Sequence, residues 1–283
     1  MTATTPTVAL LLASLALAPT LSAQATRADS FTAAATIDAS GKHTEARAIY
    51  SALIKSAPDA ALRAAATRRL AVSYAYDGNC TKSTELEEQV LAYWASRRVA
   101  EPQNAHNQEG EIANEAARIC IDNGDLDRAE KLYRRGAALG LAEPEPRTHA
   151  KALWDYRLAH ALGRLAARRG NATEAKHWVT EARRLLDSDT TLAKAQEVYY
   201  PYLVGYVALY TNDLATAEAN FTQTMKSLPN DPFQVVLMGM TLEKKGDTAR
   251  ARALFQQAYD RSTGATLPQI YSRTFTAKKL GLH

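Results

Sequence analysis

The stretch Gly124–Tyr133, G-D-L-D-R-A-E-K-L-Y, decides how this chain folds, because copies of it recur along the sequence. They lie at Gly41–Tyr50 (G-K-H-T-E-A-R-A-I-Y), Gly170–Val179 (G-N-A-T-E-A-K-H-W-V), Asn212–Phe221 (N-D-L-A-T-A-E-A-N-F) and Gly246–Phe255 (G-D-T-A-R-A-R-A-L-F). Each opens on a turn residue, carries alanine five positions later and a large apolar residue nine positions later. A weaker copy starts at Gly78, where Ser83 and Glu87 take the two packing positions. Two short helices joined at such a turn cannot bury an apolar face alone and must stack on neighbouring pairs. Ala46, Ala129, Ala175, Ala217 and Ala251 mark where paired helices approach closely. Tyr50, Tyr133, Val179, Phe221 and Phe255 are expected to fill the space toward the next pair.

Further positions join the pattern. Leu162-Gly163, Val204-Gly205 and Met238-Gly239 precede their turn residues at one offset, and Pro58 and Pro229 close second helices. With these partners the pattern resembles the tetratricopeptide repeat, a helix-turn-helix unit of about 34 residues. The resemblance implies an all-α fold, a right-handed superhelical α-solenoid of about six units. These would cover 27–60, 61–107, 108–146, 147–188, 189–230 and 231–265, followed by a capping helix over 266–280. The turn residues are spaced by 37, 46, 46, 42 and 34, so the middle units need longer helices or loops. Pro and Asn place those loops at 100–107 and 142–146. The passage 129–142 also resembles the related Sel1-like repeat.

The composition suits helices: 46% of the 283 residues are hydrophobic, alanine is abundant, and no run of alternating β-branched residues stands out. Residues 1–23 are of another kind. Val8–Ala18 is an uncharged apolar core too short to span a bilayer, and small residues precede Gln24, so a signal peptide cleaved after Ala23 is expected. A buried N-terminal helix is the alternative. The expected location is the periplasm or the outside of the cell, with 24–283 as the mature chain and no integral membrane span. In an exported chain Cys80 and Cys120 are candidates for a disulfide, two buried thiols being the alternative.

No residue pattern for chemistry emerges. The six histidines form neither H-E-x-x-H nor a zinc spacing, and there is no G-x-S-x-G elbow or phosphate-cradling glycine loop. The sequence therefore points to no enzyme, cofactor or metal. A formal net charge of +4 is too small for a nucleic-acid surface, and the arginine doublets suit helix C-termini.

The resemblance implies that first helices line a concave surface for a protein or peptide. Projected onto it are Arg118, Arg157, His160, Arg164 and Arg168, then Tyr199, Tyr202, Tyr206 and Tyr210, and Phe233. The tyrosines recur at intervals of three and four, which puts them on one helical face. A basic strip beside an aromatic one suits an acidic extended peptide; packing of the tyrosines as core is the competing expectation. A self-associating assembly subunit is the alternative function, and the sequence sets no oligomeric state.

Overall fold

The structure, a computed structural model, describes residues 18–282. Most of the expected leader lies outside them; its last residues, 18–23, begin the first helix. Six helix pairs account for most of the chain: α1 (Ala18–Ala39) with α2 (His43–Lys55), α3 (Ala60–Ser73) with α4 (Cys80–Arg97), and α5 (Pro102–Asp122) with α6 (Leu126–Leu141). There follow α7 (Lys151–Arg168) with α8 (Ala172–Ser188), the short α9 (Thr190–Gln196), α10 (Tyr200–Tyr210) with α11 (Leu214–Ser227), and α12 (Pro232–Lys244) with α13 (Thr248–Arg261). A last helix, α14, spans Leu267–Leu280. No strand occurs among the described residues, and none of their helices is long and apolar enough to cross a membrane.

One dipeptide builds every pair. Gly41, Gly78, Gly124, Gly170 and Gly246 have φ between 66° and 92°, and Asn212 has φ 66°. Only this left-handed region lets the chain leave one helix and start the next at once, and after glycine, asparagine is among the residues that tolerate it best. The residue that follows donates its N–H to the carbonyl five positions back, as from Asp125 to Cys120 (3.0 Å) and from Asp213 to Ala208 (2.8 Å). That bond satisfies an orphan carbonyl at the end of the first helix. The side chains of Asn79, Asp125, Asn171, Asp213 and Asp247 then accept the N–H three residues on, capping the second helix. Lys42 supplies no such cap in the first pair.

In the last two pairs, α10–α11 and α12–α13, the helices touch where the first carries glycine. A Cβ on Gly205 would lie 2.8 Å from the Phe221 ring, and one on Gly239 2.6 Å from that of Phe255, so the aromatic fills the room the missing side chain leaves. Each helix also packs on the next along the chain, which spreads the core over successive interfaces.

Two loop expectations part ways. Residues 142–150 form an irregular connection whose Arg147 donates to the carbonyls of Gly140 (2.8 Å) and Glu143 (2.7 Å), closing the end of α6. Of the segment 100–107 only Ala100 and Glu101 lie in a connection: α5 begins at Pro102, because proline in the first turn forgoes an N–H that no helical bond would use. The second pair accordingly ends at Arg97 and the third begins some six residues ahead of the expected boundary.

The last helix does more than extend the row. Ile270 and Leu267 pack with Val72 and Tyr76 from the end of α3, while Tyr271 meets Phe233 of α12 edge-on at 5.3 Å. Thus α14 reaches back across the first helices of earlier pairs and also contacts α5.

Candidate functional site

Residues at one offset from successive turns sit side by side on, or just ahead of, the first helices. Asn114, His160 and Tyr202 stand ten positions before Gly124, Gly170 and Asn212; Glu111, Arg157 and Tyr199 stand thirteen before them. All six line one depression of about 390 Å³, with Tyr133, Tyr156, Arg164 and Gln196 completing it. A second depression, about 710 Å³, adjoins it at Glu111 and Asn114 and runs along α3 and α4, with Arg68, Tyr93 and Trp94 in its walls. Leu267 and Pro268, at the start of α14, border its far side.

The ten residues projected onto this surface divide into two groups. Arg157, His160, Arg164, Tyr199 and Tyr202 line the smaller depression. The other five are packed together. Arg118 is ion-paired with Asp122 at 2.7 Å and its guanidinium lies over the Phe233 ring at 4.4 Å from the centroid. Arg168 donates to the Tyr206 hydroxyl (3.3 Å) and lies over Tyr210 at 5.1 Å. Tyr206 and Phe233 are buried, and burial raises the Tyr206 phenol well above its usual range. Tyr271 of α14 closes on this group through Phe233.

Tyr199 departs from the expected helical face. Pro201 in the first turn starts α10 at Tyr200, so Tyr199 belongs to a preceding 3₁₀ turn, Glu197–Tyr199, and stays 41% exposed at the rim of the depression. The α-helical stripe is Tyr202, Tyr206 and Tyr210, with successive ring centroids 5.9 and 4.7 Å apart.

Electrostatically the smaller depression is defined by Arg164, 7% exposed. Its guanidinium donates to the Tyr133 hydroxyl (3.2 Å), the Tyr202 hydroxyl (3.3 Å) and the His160 carbonyl (3.4 Å). It forms no ion pair among the described residues, whereas nearby Arg118 has Asp122 and Arg157 has Glu111. His160 packs 5.1 Å from the Tyr202 ring, and its buried Nε2 has no hydrogen-bond partner. Burial, and secondly the Arg164 charge, push its pKa well below the usual value, so the ring is neutral at physiological pH.

Sequence reasoning missed Glu111, Asn114, Tyr133, Tyr156 and Gln196. The offset rule would have found Glu111 and Asn114. Tyr133 reaches in from a second helix, where the repeat marks it as a packing residue, and Gln196 from the end of α9, which no periodicity announces. Away from this surface, Cys80 and Cys120 are joined as a disulfide with Cα atoms 4.9 Å apart, tying the start of α4 to the end of α5. Among the described residues no cluster of three metal-ligating side chains occurs.

Neither the known family models nor curated proteins contain a match to this chain.

Proposed function

We propose that this chain is an exported, non-catalytic binding scaffold: a right-handed solenoid of tetratricopeptide-like units whose first helices receive an extended segment of a partner protein. The observation that carries this reading is the pair of adjoining depressions, which follow the first helices from α3 to α10 and meet at Glu111 and Asn114. A continuous trough is the shape an extended chain fills, and aromatic and arginine side chains such as Trp94, Tyr93 and Arg68 supply the kind of contact area that dominates interface energies. The apolar stretch Val8–Ala18 supports export. The paired charges along the trough, Arg68 with Glu115 and Arg157 with Glu111, favour a segment of mixed polarity over the purely acidic peptide suggested by the basic strip alone.

The test is selection of displayed peptides on residues 24–283, repeated with Ala65→Trp. Ala65 is exposed and lines the larger depression, so a tryptophan there fills the trough without disturbing packed side chains. Convergent peptides whose binding falls at least tenfold in the variant support the reading. Selection of no peptide, or binding indifferent to the variant, overturns it. A discrete oligomer in light scattering, with the trough covered by a second copy, would favour an assembly subunit.

A further inference from the structure

Arg164 carries a charge that no carboxylate among the described residues balances. Transfer of a lone cation into a protein interior is costly unless an anion accompanies it, and buried charges are ordinarily paired. The cost is met elsewhere on the same surface: Asp122 neutralises Arg118 and Glu111 neutralises Arg157. Arg164 instead has two tyrosine hydroxyls, a carbonyl and the faces of the Tyr133 and Tyr202 rings, 5.5 and 5.9 Å from its guanidinium, which satisfy N–H groups and soften the charge but supply no anion.

We propose that the depression around Arg164 binds a small organic acid through a single carboxylate. Three features select this class. The charge count favours a monoanion, since the cup offers one cation without an ion-pair partner among the described residues, beside a neutral histidine, and the charge of Arg157 is already matched by Glu111. The planar guanidinium matches a carboxylate, and His160 Nε2, buried and without a partner, offers a further polar contact. Finally, Tyr133, Tyr199 and Tyr202 surround the charge with aromatic surface, and the cup's volume of about 390 Å³ is that of a small-molecule site. The carboxylate is placed at Arg164, between Tyr133 and Tyr202, with the flat apolar body of the ligand against Tyr199 at the open rim.

The probe is 3-phenylpropionate, titrated calorimetrically into residues 24–283, with 3-phenylpropanamide as its uncharged counterpart and inorganic phosphate as the dianion. Saturable binding of the acid, at least tenfold weaker for the amide and for phosphate, is expected. Arg164→Met should abolish binding while leaving the melting temperature unchanged or higher, because it removes an unbalanced buried charge. Should Arg164→Met unfold the chain, Tyr199→Ala at the exposed rim takes its place, with a several-fold loss of affinity and unchanged stability expected. Absence of binding at millimolar acid, equal binding of acid and amide, or unchanged affinity in the folded variants overturns the proposal. So does a phenylalanine-ending peptide that binds through its free C-terminus when the free acid does not; that result would leave the peptide trough standing. The trough is tested separately by Ala65→Trp, which lies in the other depression and should not alter acid binding.

Discussion

The pairs α3–α4 and α10–α11 share one turn and differ in what they pack behind it. Both turns use a left-handed residue, Gly78 or Asn212, followed by an Asx side chain that caps the second helix, Asn79 to the Lys82 N–H and Asp213 to that of Thr216. Behind the second turn, Ala217 and Phe221 are fully buried and Phe221 fills the space at Gly205. Behind the first, Ser83 and Glu87 are equally buried, yet the Ser83 hydroxyl and both Glu87 carboxylate oxygens lack hydrogen-bond partners. Burial, and then the neighbouring Glu115, raise the Glu87 pKa well above the carboxylate range. A helical hairpin thus needs its turn dipeptide locally, but the packing residues can be replaced where another bond holds the pair. Here the disulfide from Cys80 to Cys120 does this from outside the pair, fastening the start of α4 to α5 of the next pair.

The two pairs should respond oppositely to substitution nine positions after the turn, at Phe221 and at Glu87. Phe221→Ala empties a fully buried site and should cost about 3–5 kcal/mol in urea unfolding, with little effect on the α3–α4 end. A loss under about 1 kcal/mol would mean that the Gly205–Phe221 contact is not what seats this pair. Reduction of the disulfide, or Cys80→Ser with Cys120→Ser, opens a loop spanning a sequence separation of 40 and should cost about 2–4 kcal/mol. Hydrogen exchange should localise that loss to α3, α4 and α5; uniform loosening of the whole chain would break the comparison.

Glu87→Leu should do the reverse and stabilise by about 1–3 kcal/mol at neutral pH, since it removes a buried carboxyl without partners. The pH dependence gives an independent check. A carboxyl whose pKa is raised on folding binds its proton more tightly in the folded state, so stability falls as pH rises from the unfolded value of about 4.3 toward the folded one. Glu87→Leu should flatten that decline, and an unchanged profile between about pH 4 and pH 7 would show that the side chain is not the cause. His160 acts in the opposite range. Its depressed pKa keeps the folded ring neutral, so stability present above about pH 6.5 is lost on acidification, and His160→Asn should remove that acid-side loss. The smallest effect belongs to the turns: Asp213→Ala or Asn79→Ala should each cost about 1 kcal/mol, the same in both pairs because the cap is the same.

Much of the candidate surface could be read from spacing. Arg164, His160 and Tyr202 were all projected onto one face, and the structure brings them within contact of one another. What spacing could not divide was the strip itself. Arg168 and Tyr210 follow the same periodicity as Arg164 and Tyr202, yet they are packed with Tyr206, while the latter two line a cavity. The difference lies with α14, whose Tyr271 and Ile270 cover one end of the first helices and leave the other open. Pro102 and Pro201 show a second limit, since proline marks a helix start as readily as a loop and only its neighbours decide which.

By itself, then, the order of residues determined the six turns, the caps and the alanine and aromatic positions behind most of them. These rest on backbone conformations and hydrogen bonds made within half a dozen residues, and such interactions need no knowledge of the rest of the chain. Tertiary structure alone decided that Arg164 has no counter-ion among the described residues while Arg118 has one, that Glu87 is buried beside Glu115, and that α14 folds back onto α3 and α5. Each of these depends on which distant groups come within a few ångströms, and charge and burial act through that distance rather than through separation along the chain.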